Sequence, residues 1–272
     1  MRLRCSLFFI ASTFTFGVTA GGLAAQARGC ALDTGSAQTA ARAFASSNWQ
    51  QRVFAVELFG RLGDVHGLER AMHDRHPLVR RAACLETGPL GQACAPIVAS
   101  LAARLRDGDR EVRSAAALAL GWTRLRDDRA IRALLDAVEA RSDRERSYVI
   151  TSLGELRGTR HDQDIVAALT QRLGDGSLFV REAARRSLSW ILRDRPEHAL
   201  AVLGALRATD WRMRRGACET LEAVFVSTDD DAAAAEAQQR VRRALQEATQ
   251  DSYILVRKAA TLALALADAQ RC

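Results

Sequence analysis

Apolar residues along this chain recur at intervals of three and four, which is the spacing of one face of an α-helix. The clearest case is the segment 107–121, where a polar start is followed by small and aliphatic residues and then by a glycine. Segments 128–140 and 163–173 repeat the spacing with leucine, isoleucine and valine. No segment shows the two-residue alternation of a half-buried strand. The pattern therefore predicts an all-α protein.

One helical phrase recurs along the chain, and each copy is anchored on an arginine near the start of a helix. Four of the six intervals between these arginines are 33 to 35 residues, and the other two are 28 and 43 residues. Self-similarity at a nearly fixed period indicates an array of stacked structural repeats. The anchors are Arg52, Arg80, Arg113, Arg146, Arg181, Arg214 and Arg257.

The positions around each anchor predict how its helix begins, packs and ends. Four residues before the anchor, five of the seven copies carry Asn, Asp or Ser, which can cap the free N–H groups of a first turn. A small residue three positions after the anchor would let neighbouring helices approach closely. Glycine stands eight positions after four anchors and predicts the end of those helices, at Gly60, Gly88, Gly121 and Gly154.

A second set of helices is predicted between these, at 37–46, 65–74, 94–106, 128–140, 163–173, 197–207 and 231–249. A single pair of short helices cannot bury both of its apolar faces, whereas a stack of pairs shares one continuous core. We therefore expect an α-solenoid of about seven antiparallel helix pairs over residues 37–272. Residues 28–36 are expected to lead into it.

The first 27 residues have a different character. A short basic head is followed by an uncharged apolar run and then by Ala25-Gln26-Ala27, which together resemble a secretory signal. The prediction is a signal cleaved after residue 27, so that the protein acts in the periplasm or outside the cell. The alternative is an uncleaved membrane anchor, because the apolar run approaches membrane-spanning length. No later segment is apolar enough for a span.

Charge adds little to the picture of a binding function. The formal net charge is +7, and it becomes +5 without the signal, which carries Arg2, Arg4 and no acid. The surplus is spread over every repeat, whereas nucleic-acid binding usually needs a concentrated basic face. We therefore expect no nucleic-acid partner.

Cysteine usage is compatible with an exported protein. Five cysteines follow residue 27, and Cys84 and Cys94 flank a predicted turn between two helices. They are the pair predicted to form a disulfide, which an oxidising compartment permits. Cys30 could be free, bridged or lipidated. The chain has no Cys-x-x-Cys motif, so thioredoxin-like redox chemistry and zinc knuckles are not indicated.

The repeated phrase resembles the HEAT repeat, in particular the short form found in phycobilisome lyases and many bacterial proteins. Asp107, Val112-Arg113, Ala116 and Leu120-Gly121 follow the family pattern Asp-x-x-x-x-Val-Arg-x-x-Ala-Ala-x-x-Leu-Gly nearly throughout. The resemblance covers the chain from about residue 37 onwards. It implies that the Asp and Arg of successive repeats form a structural ladder. Nothing in the chain marks a bilin site.

The predicted working surface is the exposed side of the second helices, which the resemblance would place on the inner curve of the stack. Positions one, five and nine after each anchor lie on this side because they are one helical turn apart. Tryptophan and arginine are frequent at binding hot spots. The candidates include both basic and acidic side chains, which favours a protein or peptide partner. The candidates are Arg81, Trp122, Glu155, Glu182, Arg186, Trp190, Arg215, Glu219 and Lys258.

One cluster offers an alternative chemistry. His66, Glu69 and His73 are spaced so that they share one face of a predicted helix, and two imidazoles with a carboxylate could bind a divalent metal. The alternative is that these residues form the solvated side of a helix that buries Leu68 and Met72. No second helix supplies an obvious fourth ligand.

These observations together predict a non-catalytic scaffold, exported to the bacterial envelope, that binds a protein or peptide partner along the second helices. No cofactor is implied, and no catalytic motif is recognised. The competing hypothesis is a metal-dependent or lyase-like enzyme centred on His66, Glu69 and His73. The identity of the partner and the oligomeric state are left open by the sequence.

Overall fold

The computed structural model describes residues 34–226 and 232–269, and these residues form helices and no strand. The predicted all-α fold is confirmed. Its α-helices are numbered α1 to α14 in chain order and make seven pairs. The first helices of the pairs are α1 (Thr34–Phe44), α3 (Val65–Met72), α5 (Val98–Ala103), α7 (Asp128–Asp136), α9 (Asp162–Arg172), α11 (Ala199–Val202) and α13 (Ala232–Ala248). The second helices are α2 (Trp49–Leu62), α4 (Pro77–Thr87), α6 (Arg110–Thr123), α8 (Asp143–Glu155), α10 (Leu178–Asp194), α12 (Trp211–Leu221) and α14 (Ile254–Ala269).

The pairs stack in order, so that the chain forms a two-layered α-solenoid. Each second helix packs against the second helix of the next unit, from α2 through to α14. The first helices from α3 to α13 form the other layer in the same order. A continuous core therefore lies between the layers, and its fully buried members include Leu68, Met72, Leu120, Ile131, Ile150, Leu153 and Leu169.

Small residues at one repeated position explain how the second helices can pack so closely. The residue three places after each anchor arginine is at most 2% exposed in every unit. A side chain no larger than valine at this point leaves room for the neighbouring backbone, as expected from the repeat. These residues are Ala55, Ala83, Ala116, Val149, Ala184, Ala217 and Ala260.

Side-chain caps begin several of the second helices. Asn48 accepts a hydrogen bond from the Gln50 N–H at 2.9 Å, and Asp109 accepts one from the Glu111 N–H at 2.8 Å. Such caps satisfy N–H groups that have no partner within the helix. Ser177 also stands at a helix start, but its hydroxyl donates to Asp143 at 3.1 Å and does not cap the helix.

The prediction that glycine ends the second helices is wrong at three of four positions. Gly60, Gly121 and Gly154 lie inside α2, α6 and α8, and only Gly88 follows its helix directly. A Cβ atom on Gly121 would lie 2.6 Å from the Ser152 Oγ atom and 3.0 Å from the Ser152 Cα atom. These glycines are required by the close approach of the next second helix.

Two predicted first helices are less regular than their apolar periods suggested. In place of a helix over 94–106, the chain has a 3-10 segment over Gly88–Ile97, the short α5 and a further 3-10 turn over Arg104–Arg106. Gly91 has a φ of 56°, and Pro96 has no N–H to donate, so a regular helix cannot run through this stretch. Residues 196–207 are divided in the same way around α11.

The predicted disulfide is not formed. Cys84 and Cys94 are both free and buried, and the Cys94 thiol donates to the Gly91 carbonyl oxygen at 2.9 Å. Cys84 is packed in the core on α4, while Cys94 is held within its own turn. Flanking a turn in sequence therefore did not bring the two sulfur atoms together.

The predicted secretory signal, the lead-in up to residue 33, and Cys30 and Cys272 lie outside the described residues. Across 34–226 and 232–269, none of the helices combines the length and the apolar character needed to cross a membrane.

Candidate functional site

All nine candidate binding residues lie on second helices, from α4 to α14, and none is buried. We call this side of the molecule the second-helix face. Trp122, Arg186, Arg215 and Lys258 are exposed, and the other five are half-buried. The structure thus keeps the whole set within reach of solvent.

Several of these side chains are already engaged within the chain. Arg215 pairs with Glu219 at 2.7 Å, one turn further along α12. Glu182 is paired with Arg185 at 2.9 Å, on the next turn of α10. Glu155 lies 3.5 Å from an Arg124 nitrogen. Contacts of these residues with a partner would have to compete with intramolecular pairs.

The two tryptophans of the face differ in their surroundings. Trp122 is 53% exposed and packs one edge against Gly88, where a Cβ atom would come within 2.9 Å of the indole. Trp190 is half-buried, and the Arg157 guanidinium lies over its ring at 5.9 Å from the centroid. Trp122 therefore offers the larger free aromatic surface.

An open cavity of about 850 Å³ lies at the carboxyl ends of α6, α8 and α10, and we call it the helix-end groove. Four arginines and three acidic side chains contribute to its walls, together with Leu125 and Ile191. Sequence reasoning found only Glu155 among them. Arg124 and Arg157 stand eleven residues after two of the anchors, a position that lies off the helical face defined by positions one, five and nine. The charged lining residues are Arg124, Arg126, Arg157, Arg195, Asp127, Glu155 and Asp194.

The anchor arginines form a regular network on one side of the stack. In all seven units the Nη1 atom donates to the backbone carbonyl oxygens five and six residues earlier, at distances from 2.7 to 3.3 Å. These bonds tie each guanidinium to the loop that precedes its own helix. The orientation of the remaining donors is therefore the same from unit to unit.

Five of these arginines also bind a carboxylate of the following unit through Nε and Nη2. The ten bonds measure 2.7 to 3.2 Å, and the two-pronged geometry is the strongest that arginine and a carboxylate can adopt. The pairs are Arg52 with Asp74, Arg80 with Asp107, Arg113 with Glu145, Arg146 with Asp175, and Arg214 with Asp251. The structure confirms the Asp–Arg ladder that the resemblance implied.

The ladder carboxylates also accept hydrogen bonds from backbone N–H groups within their own loops. Asp74, Asp107, Asp175 and Asp251 each accept a hydrogen bond from the backbone N–H two residues later, at 2.7 to 3.0 Å. Burial opposes the ionisation of Asp107, but the bonds from Arg80 and from the Asp109 N–H outweigh it and lower its pKa. The pKa of Asp251 is lowered chiefly by its bond with Arg214. The ladder thus holds these carboxyl groups in their charged form.

The sequence places this chain among known repeat proteins. A family model described as HEAT repeats matches residues 65–154 and 131–222, which together cover more than half of the chain. The chain belongs to the HEAT repeat family. No curated protein matches it in sequence.

Solved structures resemble the HEAT stack in fold. An engineered protein is 18% identical, with a TM-score of 0.53, over 85% of this chain and 68% of its own. A second engineered protein is 19% identical, with a TM-score of 0.49, over 76% and 97%. The complex of CpcE and CpcF of phycocyanin lyase from Nostoc sp. PCC7120 is 21% identical, with a TM-score of 0.49, over 90% and 97%. At these identities the likeness concerns the fold alone.

The candidate metal ligands do not converge on one point of this HEAT stack. His66 and His73 are exposed, whereas Glu69 accepts a hydrogen bond from the Ser100 hydroxyl on α5 at 2.5 Å. Asp74, which directly follows His73 in sequence, is bound by Arg52. Within residues 34–226 and 232–269, no group of three or more His, Cys, Asp and Glu side chains is placed to hold a metal ion. The metal alternative gains no support from this arrangement.

Proposed function

We propose that this HEAT repeat protein is a non-catalytic scaffold, exported to the bacterial envelope, that binds a protein or peptide partner along its second-helix face. The rigid stack would present side chains from several units at once. Individual contacts on such a surface are weak, and their sum over many units supplies the affinity.

The exposure of Trp122 is the observation that carries this proposal. In the middle of the stack, this indole leaves 53% of its surface open to solvent. Large aromatic side chains dominate the energetics of many protein interfaces, because they bury much area at little cost in conformational entropy. The location of Trp122 in α6 would place a partner across the centre of the face.

The helix-end groove supports a polypeptide partner in preference to a polyanion. Its lining combines four arginines with three acidic residues, so the sign of the surface charge changes over short distances within the groove. A nucleic acid would need a more uniform basic surface. A peptide can instead match alternating charges with its own side chains and backbone groups.

The export part of the proposal rests on residues 1–27, whose basic head, apolar run and small-x-small ending have the features of a secretory signal. Mass spectrometry of the protein isolated from its native envelope tests it. Export with cleavage is supported by a mature chain that starts at Arg28. A chain that retains residues 1–27 would contradict cleavage.

Site-specific photo-crosslinking tests the binding surface. A photoreactive amino acid is placed at position 122 and, as a matched control, at Arg132, which is exposed on α7 in the other layer. We expect a discrete crosslinked protein from envelope extract with the probe at 122 and none with the probe at 132. The same products from both positions would contradict a specific second-helix face.

The partner captured in this way then allows an affinity measurement. Trp122→Ala is expected to weaken binding by about tenfold or more, which corresponds to a loss of roughly 1.4 kcal/mol or more. Arg132→Ala should leave the affinity unchanged. Equal affinities of Trp122→Ala and the unaltered protein would remove Trp122 from the interface.

A further inference from the structure

One anchor arginine inside the stack lacks the carboxylate that its equivalents bind. The Nη1 atom of Arg181 donates to the carbonyl oxygens of Asp175 and Gly176 at 2.7 and 3.1 Å, as in every other unit. Its guanidinium is therefore held in the same orientation. Among the described residues, however, no carboxylate is bonded to its Nε and Nη2 atoms. Arg257 likewise has no such partner within the part of the chain that the structure describes, but no further repeat is described beyond its unit.

The missing ladder carboxylate is explained by Ala208. This residue occupies the ladder position of its unit, six residues before Arg214, where Asp107 stands before Arg113. The backbones agree closely, since Ala208 has φ −63° and ψ 151° and Asp107 has φ −60° and ψ 148°. The loop thus has the ladder conformation and lacks only the acidic side chain.

Another unit has lost the same aspartate and has replaced it. Ala140 occupies the ladder position before Arg146, and there Glu145 reaches Arg113 with bonds of 3.2 and 2.8 Å. The residue equivalent to Glu145 before Arg214 is Met213, which cannot accept such bonds. The loss at Ala208 is therefore not compensated within residues 34–226 and 232–269.

The surroundings of Arg181 are basic and partly open. Arg181 lines a small cavity of about 60 Å³ between the starts of α10 and α12. Four arginines and two glutamates line the cavity, so its formal charge is +2. Both glutamates are paired with arginines of their own helices. Asp210, a carboxylate of the loop before α12, caps that helix and lies 3.6 Å from an Arg212 nitrogen.

We propose that Arg181 is a binding site for a carboxylate supplied from outside the chain, which would complete the ladder at the junction of α10 and α12. The donor pair is oriented before binding, and a carboxylate is the group that occupies the equivalent place at five other junctions. The inference deepens the proposed scaffold function and rests on it, because the carboxylate would belong to an acidic residue or the C-terminus of a bound peptide.

Nuclear magnetic resonance of the arginine Nε–H groups tests this site with small probes. The probes are N-acetyl-aspartate methylamide for a side-chain carboxylate, N-acetyl-alanine for a terminal carboxylate, and N-acetyl-asparagine methylamide as the neutral control. We expect a saturable shift of the Arg181 signal with at least one carboxylate probe and no shift with the asparagine probe. The Arg113 signal should stay in place, because Glu145 already occupies its donors.

Two substitutions provide a matched comparison. Ala208→Asp should place a carboxylate of the chain itself next to the Nε and Nη2 atoms of Arg181. The Arg181 Nε–H signal should then shift without any probe, and it should no longer respond to the probes. Ala140→Asp introduces the same residue at the equivalent position of another unit and should leave the response of Arg181 intact. If Ala208→Asp fails to fold, a second measurement uses Arg181→Gln. Saturation transfer to the carboxylate probe should be seen with the unaltered protein and lost with this variant.

The outcomes separate this inference from the proposed function. An Arg181 signal that ignores the carboxylate probes, or that responds equally to the asparagine probe, overturns the carboxylate site even if Trp122→Ala still weakens partner binding. If Arg181 binds the probes but Ala208→Asp retains full affinity for the partner, the site stands while its assignment to this partner fails. A partner lost from both Ala208→Asp and Trp122→Ala supports both proposals.

Discussion

At the scale of single residues, the most regular feature of this protein is the anchor arginine. Each guanidinium satisfies two carbonyl oxygens of its own loop, and in five units it also binds a carboxylate of the next unit. Charges withdrawn from water are tolerated when they are paired and hydrogen-bonded, and the five arginines that bind a carboxylate meet both conditions. The first role of the anchor arginines is therefore to stabilise the stack.

Removing one ladder carboxylate should destabilise the fold strongly. Asp107 is nearly inaccessible, with a side chain that is 3% exposed, and Asp107→Asn would leave Arg80 with an incomplete partner. We expect a loss of about 3 kcal/mol in the free energy of unfolding, because breaking a buried pair strands a charge. Urea denaturation at pH 7 measures it. Asp136→Asn breaks an exposed pair with Arg106 and should change stability by no more than about 0.5 kcal/mol.

The ladder also predicts how stability depends on pH. The folded pKa values of Asp74, Asp107, Asp175 and Asp251 lie below their usual value, while an aspartate of the unfolded chain has a pKa of about 3.9. A lowered folded pKa adds stability that is fully present above the unfolded pKa and is lost as pH falls through the folded pKa. Thermal melts between pH 6 and pH 2 should therefore show a steep loss below about pH 4. A melting temperature that stays constant over this range would contradict the ladder's role.

The thiols give a further test at the residue scale. Burial raises the pKa of Cys84 and Cys218 to about 12 and that of Cys94 to about 11. The thiolate is the reactive form, so these cysteines should resist a thiol reagent at pH 8 in the folded protein and react once it is unfolded in urea. Rapid labelling of all three in the folded state would contradict their burial.

At the scale of the element, helix-to-helix distance decides where glycine is needed. Gly121 and Gly154 lie against Ser152 and Ser187 of the following helices, and both serine hydroxyls donate to backbone carbonyls of the preceding second helix. At these two contacts the backbone of α6 lies directly against that of α8, and the backbone of α8 lies directly against that of α10. In this stretch a side chain of any size would separate two units of the stack.

Gly121→Ala tests this contact because two effects oppose each other. Alanine is favoured over glycine inside a helix by about 1 kcal/mol, whereas overpacking typically costs about 1–3 kcal/mol. The new Cβ atom would lie 3.0 Å from the Ser152 Cα atom, so the backbone itself must move, and we expect a net loss of about 1–2 kcal/mol.

The control for this measurement is Gly204→Ala. A Cβ atom on Gly204 meets no atom within 4 Å, so this substitution should be neutral or slightly stabilising. Chemical denaturation of both variants makes the comparison. Equal stabilities of the two would show that the glycine contact in α6 can relax without cost.

At the scale of the whole molecule, stability is distributed along a line. The stability of a solenoid is approximately a sum of the units and of the contacts between neighbours, so one weakened contact divides the stack. The junction between α10 and α12 lacks its ladder bridge, because Ala208 and Met213 provide no carboxylate to Arg181. This junction is therefore the natural boundary between two cooperative parts.

Hydrogen exchange should reveal that boundary. Amide protons in α12 and α14 are expected to exchange through an opening of lower free energy than those in α6 and α8. Ala208→Asp should raise the protection of the C-terminal part by restoring the bridge, whereas Ala140→Asp should not. Uniform protection across the stack in the unaltered protein would contradict a weak junction.

The helical pairs, their order and the small buried positions follow from the sequence alone. Ala116 and its equivalents could be assigned to the core because contacts between adjacent units recur at a nearly constant separation along the chain. The ladder was expected from the resemblance to the HEAT repeat, and its two partners lie 22 to 37 residues apart in the five pairs that form. A local period is enough to predict features that each repeat shares.

The features that differ between repeats were decided by tertiary structure. Which carboxylate reaches Arg113 depends on the position of Glu145 in space. Gly121 looks like a helix end in sequence, but it is a contact point, and Cys84 and Cys94 are separated by the irregular turn around Gly91. The helix-end groove joins loops from three units. Each of these depends on distances between residues from different elements, and the local pattern of a sequence carries no such distances.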